Sequence, residues 1–391
     1  IYNRSLDMAF RNGEHQALSF GPEQRPLIFG KINIHIDDHG MSLKPRNFEA
    51  FYPADAYEVF GLTSRNRTPG LGLPIIGVAK QSPHAPEGGA LPITAFLRIE
   101  GDLNSLGTQQ GKISLELYSS GEEQEITVNG AKIPLQTDIT APLAYRVNDK
   151  ELWSAGLKRF LFGGDVEKNV MLIQPYQKGR IPVVFVHGTG SSPVWWTEMA
   201  NTLRNDPNIR KHYQFWFYEY TSNLPVPASA ANLRESLTEL VHTLDPEQQD
   251  PALRQMVVVG HSQGGMLTHM TAIDPGDKLW RSISDKPFEE IHGDPLLLNG
   301  FKRALFFKPL PFVKRVIFIS TPHRGSFLTK SWVRQLAGRA LNLPVSLIQS
   351  SNEKFQELAS QLKLSPELNG RIPTAVDGMA EDSPVMKAVS E

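Results

Sequence analysis

Between Met256 and Met270 the chain passes from a buried strand through a glycine-rich turn into a helix, an order that few folds accommodate in so few residues. Met256-Val257-Val258-Val259 is a solid apolar run. Gly260-His261-Ser262-Gln263-Gly264-Gly265 follows at once, and Met266, Leu267 and Met270 continue at helical spacing. A serine in so sharp a turn is held in strained backbone geometry with its hydroxyl outward. Glycines two before and two after it let strand and helix approach without a Cβ clash. The spacing G-x-S-x-G arises by chance, but between a β-branched strand and a helix it points to Ser262 as a nucleophile.

The surroundings of the turn carry the same period. From about Leu157 short apolar runs alternate with helical stripes, as in a mostly parallel sheet wound on both faces by helices. Val170 to Ile173 and Pro182 to Val186 read as buried strands, and Phe215 to Tyr218, Met256 to Gly260 and Val316 to Ser320 repeat the strand pattern. Trp195, Trp196, Met199 and Leu203 form one helical stripe behind Ser192-Pro193; Leu233, Leu237, Leu240, Val241 and Leu244 form another. The stretch from about 275 to 313 is far longer than the ~2–6 residues usual between a helix and a strand, so it reads as an inserted cap. Its apolar part, Leu296 to Leu298, Phe301, Leu305 to Phe307 and Leu310, fits a helix packed on the core or a lid facing an acyl chain.

Residues 1–150 follow a period of two instead and are expected to form a β-rich, sandwich-like N-terminal domain, with 151–391 as the α/β domain. Ile28, Ile32, Ile34 and Ile36 share a face, as do Ile113, Leu115 and Leu117. Ile126 and Val128 lead into Asn129-Gly130 and out to Ile133 and Leu135, a hairpin signature. Thr63 to Gly72 and Gln81 to Gly89 read as loops.

A tetrahedral intermediate on Ser262 would need two N–H donors aimed at its oxyanion. The Gln263 amide, at the start of the helix, supplies one. Pro182 to Val186 ends in His187-Gly188-Thr189-Gly190, a strand followed by a flexible loop, and Thr189 is assigned the second. Gly260, Gly264 and Gly188 support the turn and the loop, and His187 orients the loop. His261 points away from the hydroxyl. A serine also needs a histidine base and a carboxylate that fixes its tautomer, both after the nucleophile in this kind of sheet. Only one strand follows Ser262, ending in Ile319-Ser320-Thr321-Pro322-His323-Arg324-Gly325-Ser326, and Leu328 to Glu391 reads as helix and loop. The acid and the histidine are therefore expected beyond residue 391. His269, on the helix after the turn, and His292, in the insertion, fit the base poorly; His323 is the remaining internal candidate.

With 40% hydrophobic and 21% charged residues and a net charge of -1, the chain does not read as a nucleic-acid binder or a polybasic membrane protein. It has no cysteine, which excludes disulfides, thiolate metal sites and cysteine nucleophiles, and its 11 histidines show no H-E-x-x-H spacing, so no metal or other cofactor is expected. No apolar run approaches the ~20 residues of a membrane span. The chain opens at Ile1 without a methionine and closes soon after Asp382-Ser383-Pro384, a helix start, so it is expected to be a fragment.

Together Pro182 to Gly190, Gly260 to Gly265 and Ile319 to Ser326 resemble the α/β-hydrolase superfamily, in particular its bacterial lipase- and esterase-like serine hydrolases. The Ser-Thr-Pro-His-Arg-Gly-Ser loop is also similar to one in glycosylphosphatidylinositol-deacylase-like members. The resemblance covers about Leu157 to Glu391 and departs from the family in lacking the acid and histidine. It implies cleavage of a small neutral or lipid-like carboxylic ester through an acyl-enzyme, with a lipid or membrane interface allowed and an extracytoplasmic or membrane-associated setting. A non-catalytic hydrolase-like binding module and an acyltransferase using the same serine remain alternatives. Substrate, oligomeric state and the duty of the N-terminal domain are left open.

Overall fold

A computed structural model describes residues 2–11, 17–20, 24–27, 30–82, 88–100, 112–120, 122, 124–147, 169–222, 224–325, 361–362, 379 and 383–390. Ile28, the start of the α/β pattern at Leu157, Ser326 and most of the segment after Leu328 lie outside them. The chain divides into two compact units. One contains Ile1–Lys150, Leu172–Arg180 and Thr197–Gln214; the other contains Glu151–Met171, Ile181–Trp196 and Phe215–Glu391.

In the first unit a helix, α1 (Tyr2–Phe10), precedes β1 (Gln24–Leu27), β2 (Gly30–Asp37), β3 (Phe48–Pro53), β4 (Arg67–Thr68), β5 (Leu73–Ala79), β6 (Gly89–Glu100) and β7 (Lys112–Ser119). Then come β8 (Glu125–Val128), β9 (Ala131–Pro134), β10 (Thr137–Asp138) and α2 (Thr140–Val147). Six strands form one mixed sheet in the order β1-β2-β7-β6-β5-β3, in which β2 and β7 run parallel. The sheet is apolar on both faces. Adjacent Ile75 and Ile76, each 0% exposed, point opposite ways: Ile75 packs with Ile93, Leu115, Leu117 and the Leu6 and Phe10 of α1, and Ile76 with Ala54, Ala90 and the Ala141 of α2. The hairpin forms where the sequence places it. Ile126 pairs with Ile133, and Asn129 and Gly130 take φ of 50° and 79°, the left-handed pair that a tight two-residue turn requires.

Two further helices, α3 (Thr197–Asn205) and α4 (Pro207–His212), also belong to this unit. Asp206 caps α4, accepting hydrogen bonds from the amides of Asn208 (2.7 Å) and Ile209 (3.4 Å). The stripe predicted over Trp195 to Leu203 is corrected. A 3-10 turn over Pro193–Trp196 shifts the phase, so Trp195 is 61% and Met199 39% exposed, while Thr197, Ala200, Asn201 and Arg204 form the buried face.

The second unit is organised on β11 (Asn169–Leu172), β12 (Ile181–Val186), β13 (Tyr213–Glu219), β14 (Met256–His261) and β15 (Val313–Ile319), in the order β11-β13-β12-β14-β15. β12, β14 and β15 are parallel, with Val186 opposite Gly260 and Gly260 opposite Phe318. Val184 and Val258 are fully buried, as are Phe185, Phe215, Trp216 and Phe217 to within 2%. The helices are α5 (Val226–Leu244), α6 (Gln263–His269), α7 (Lys278–Arg281), α8 (Pro295–Leu305) and α9 (Pro384–Ser390). Ser383 heads α9 as the sequence predicts, its hydroxyl accepting from the Met386 amide at 3.4 Å. The predicted Val316 to Ser320 strand is corrected to Val313–Ile319 and is not buried: Ile317 is 47% and Phe318 37% exposed. Among the described residues β15 pairs only with β14, so it behaves as an edge.

The insertion packs on its own unit. Trp280 is ringed by Phe288, Phe301 and Phe306 at centroid distances of 5.0–6.3 Å. Arg303 grips Glu235 of α5 through Nε (2.5 Å) and Nη2 (2.7 Å) and donates to Asn232, while buried Arg234 of α5 donates to the Arg303 carbonyl and lies 3.6 Å from the Phe307 ring centre. The Leu310 amide donates to the Thr271 carbonyl at 2.9 Å. Leu296, 81% exposed, is the large apolar side chain of the insertion left in water.

Candidate active site

The β14 to α6 corner has the geometry that its sequence demands. Ser262 sits between them at φ 53° and ψ -123°, a region an L-residue enters only at a cost of ~1–3 kcal/mol. Its amide donates to the Ile319 carbonyl at 2.9 Å, and its carbonyl accepts from the Gly265 amide at 3.0 Å, so the turn is fixed from both sides. The glycines explain themselves by contact. A Cβ on Gly260 would strike the Gly264 carbonyl and the Thr268 hydroxyl, and one on Gly264 would strike the carbonyls of Val186 and His187. Gly265, which the sequence reading did not single out, is closed off by Thr321.

The loop after β12 lies against this corner. A Cβ on Gly188 would stand 3.0 Å from the Cβ of Ser262. Thr189 Oγ1 donates to Gln263 Oε1 at 2.5 Å, so the two residues assigned as oxyanion donors are joined through their side chains. Among the described residues the Thr189 amide makes no hydrogen bond, and the Gln263 amide, first in its helix, has no intrahelical acceptor. His187 is 2% exposed; its Nδ1 lies 2.9 Å from the Gly188 carbonyl and its ring stacks on Tyr220 at 4.4 Å. The Tyr220 hydroxyl donates to the His187 carbonyl at 2.8 Å, and burial raises its pKa well above the ordinary tyrosine value. The Gly190 amide donates to Ser222 Oγ at 3.1 Å. Tyr220 and Ser222 were invisible in the sequence, because their link to the loop spans 33 and 32 residues and no motif marks it.

The internal histidines fall into two groups. His269 and His323 lie edge to face, 5.7 Å apart, and both meet the Phe318 ring, at 5.7 and 4.6 Å. Burial, and then the neighbouring His323, lower the pKa of His269 from its usual value. His292 is in the exposed part of the insertion, its amide and carbonyl engaged by Gln361. His261 is exposed, its ring 6.4 Å from Trp196. Among the described residues no group of histidines and carboxylates is arranged to hold a metal, and no helix is long and apolar enough to cross a membrane.

Residues 183–376 match the model of the alpha/beta hydrolase family. No curated protein matches the chain. Among solved structures, lipase BlEst2 of Bacillus licheniformis in its mature form is 19% identical over 58% of this chain and 61% of its own, with a TM-score of 0.27. Its propeptide form is 21% identical over 45% and 31%, with a TM-score of 0.27. Esterase B from Lactobacillus rhamnosis is 16% identical over 49% and 55%, with a TM-score of 0.25. The chain thus spans less than two thirds of the length of each, and the assignment stands on the family match and on the β14–Ser262–α6 corner within it. Over residues 183–376 this chain is a member of the alpha/beta hydrolase family.

Proposed function

We propose that the protein is a serine hydrolase that cleaves carboxylic esters through an acyl-enzyme on Ser262. The observation that carries this reading is the left-handed Ser262 between β14 and α6, with Gly188 packed against its Cβ. In this mechanism Ser262 Oγ attacks the ester carbonyl carbon, and the carbonyl oxygen becomes an oxyanion between the Gln263 and Thr189 amides. The alcohol departs with a proton, and water then releases the acid. The Thr189–Gln263 side-chain bond fixes the spacing of the two donors before substrate arrives, so no reorganisation is required as charge develops. The proton acceptor for Ser262 and its carboxylate partner are proposed to come from beyond residue 391. His323, packed edge-on against Phe318, is the internal alternative.

The substrate is proposed to be a small neutral or lipid-like ester, consistent with the near-neutral net charge of -1. The test is covalent labelling of the protein by a fluorophosphonate, with the site read by peptide mass. Labelling at Ser262 that Ser262→Ala removes is the expected result, and an unlabelled protein that also fails to turn over p-nitrophenyl esters would sink the assignment.

A further inference from the structure

The buried face of α3 contains a charge that folding alone does not account for. Arg204 is 3% exposed; its carbonyl accepts from Arg210, but among the described residues its guanidinium has neither a hydrogen-bond acceptor nor an ion-pair partner. Two more guanidiniums stand nearby. Arg210, 8% exposed, gives Nη1 to the carbonyls of Arg204 (2.5 Å) and Asn205 (3.0 Å) and keeps a buried Nε without a partner. The Arg180 side chain, 11% exposed, donates to Glu122 at 2.9 Å. Burial, then the positive charges of Arg210 and Arg180, push the Arg204 pKa down to about 10, so it remains a cation at neutral pH, held at a cost.

Among the described residues the local counter-charge is incomplete. Glu122 offsets one of the three cations. Asp206, the other carboxylate near Arg210, is exposed and spends Oδ1 on the first amides of α4. The C-terminal dipole of α3 takes up only a fraction of a charge. The frame is also fixed in advance: Gln214 Nε2 donates to the Gln177 and Arg180 carbonyls at 3.0 and 2.7 Å, and the Gln177 amide donates back to Gln214 Oε1.

We propose that Arg180, Arg204 and Arg210 form a binding site for a tetrahedral dianion of the phosphate class, reached past Glu122. A planar guanidinium presents paired donors that match such oxygens, and three of them against Glu122 and the exposed Asp206 leave a net positive charge for the anion to meet. The incoming anion takes Arg180 from Glu122, whose half-exposed carboxylate returns to water. The site is independent of Ser262 and of the ester reading.

The experiment is thermal unfolding of the full chain in inorganic phosphate, sulfate or acetate against chloride at matched ionic strength. The expected result is a Tm that climbs with phosphate and sulfate in the manner of a ligand bound to the folded state alone, and no such climb with acetate. Arg204→Met removes an uncompensated cation, so it should fold without phosphate and should weaken the apparent phosphate affinity at least tenfold. Arg180→Gln, closer to solvent, keeps the test decisive if Arg204→Met does not fold, and should weaken affinity several-fold. A Tm identical in phosphate and chloride, an equal response to acetate, or a phosphate response retained by the variants would overturn the proposal.

Discussion

Ser262 and Ser320 end neighbouring parallel strands, and both hold a left-handed backbone, at φ 53° and 49°. The Ser262 amide reaches across to the carbonyl just before Ser320, so the two corners are hydrogen-bonded to each other's frame. Their surroundings diverge. The strand before Ser262 is buried from Met256 to Gly260, and the turn opens into a helix whose first amides face the serine. The strand before Ser320 exposes Ile317 and Phe318, and the serine itself is exposed in a loop that continues through Thr321-Pro322. Backbone strain is therefore common to both, and it is the helix N-terminus, the contacting glycines and the facing Gly188-Thr189 loop that set one apart as the proposed site for chemistry.

The comparison can be broken most forcefully by the two alanine variants. Ser262→Ala should cut ester turnover by roughly 10⁴-fold or more, the scale of nucleophile loss in serine hydrolases, and Ser320→Ala should leave it within about twofold. Equal losses in the two would show that strain, not surroundings, marks the site. Gly264→Ala tests those surroundings at the backbone: its Cβ meets the carbonyls of Val186 and His187, so stability should fall by about 1–3 kcal/mol, as in overpacked cores, with fluorophosphonate labelling lost. Chemical denaturation is the measurement. Ser262→Gly and Ser320→Gly should each relieve the left-handed strain and change stability by similar amounts, about 0.5–1 kcal/mol in favour of folding. Unequal gains would locate the difference in the backbone itself. Tyr220→Phe removes only the bond to the His187 carbonyl, costing about 1 kcal/mol of stability. It should lower kcat more than it changes KM, because the loop it steadies is proposed to act on the oxyanion.

The corner at Ser262 was legible because strand, turn and helix follow one another within 15 residues and each is dictated locally. The Asn129-Gly130 hairpin was legible for the same reason. Three features were not. The buried face of α3 depends on a 3-10 turn over Pro193–Trp196 that rotates the helix, which apolar spacing cannot reveal, and it turns Arg204 inward where Met199 was expected. The exposure of β15 follows from which strands pair with it, not from its own apolar run. Tyr220 supports the loop by stacking and a hydrogen bond across the sheet, and a lone tyrosine after a strand gives no sign of that.

The way the insertion is held bears on kinetics at a lipid surface. Arg303 on Glu235, Arg234 beneath Phe307 and the Leu310–Thr271 backbone bond pin the insertion to α5 and the end of α6. A segment tied in this manner is poorly suited to swing aside when micelles or emulsion droplets appear. If the ester reading holds, initial rates plotted against ester concentration should therefore pass through the solubility limit without a jump, and progress curves at an oil–water boundary should begin without a lag.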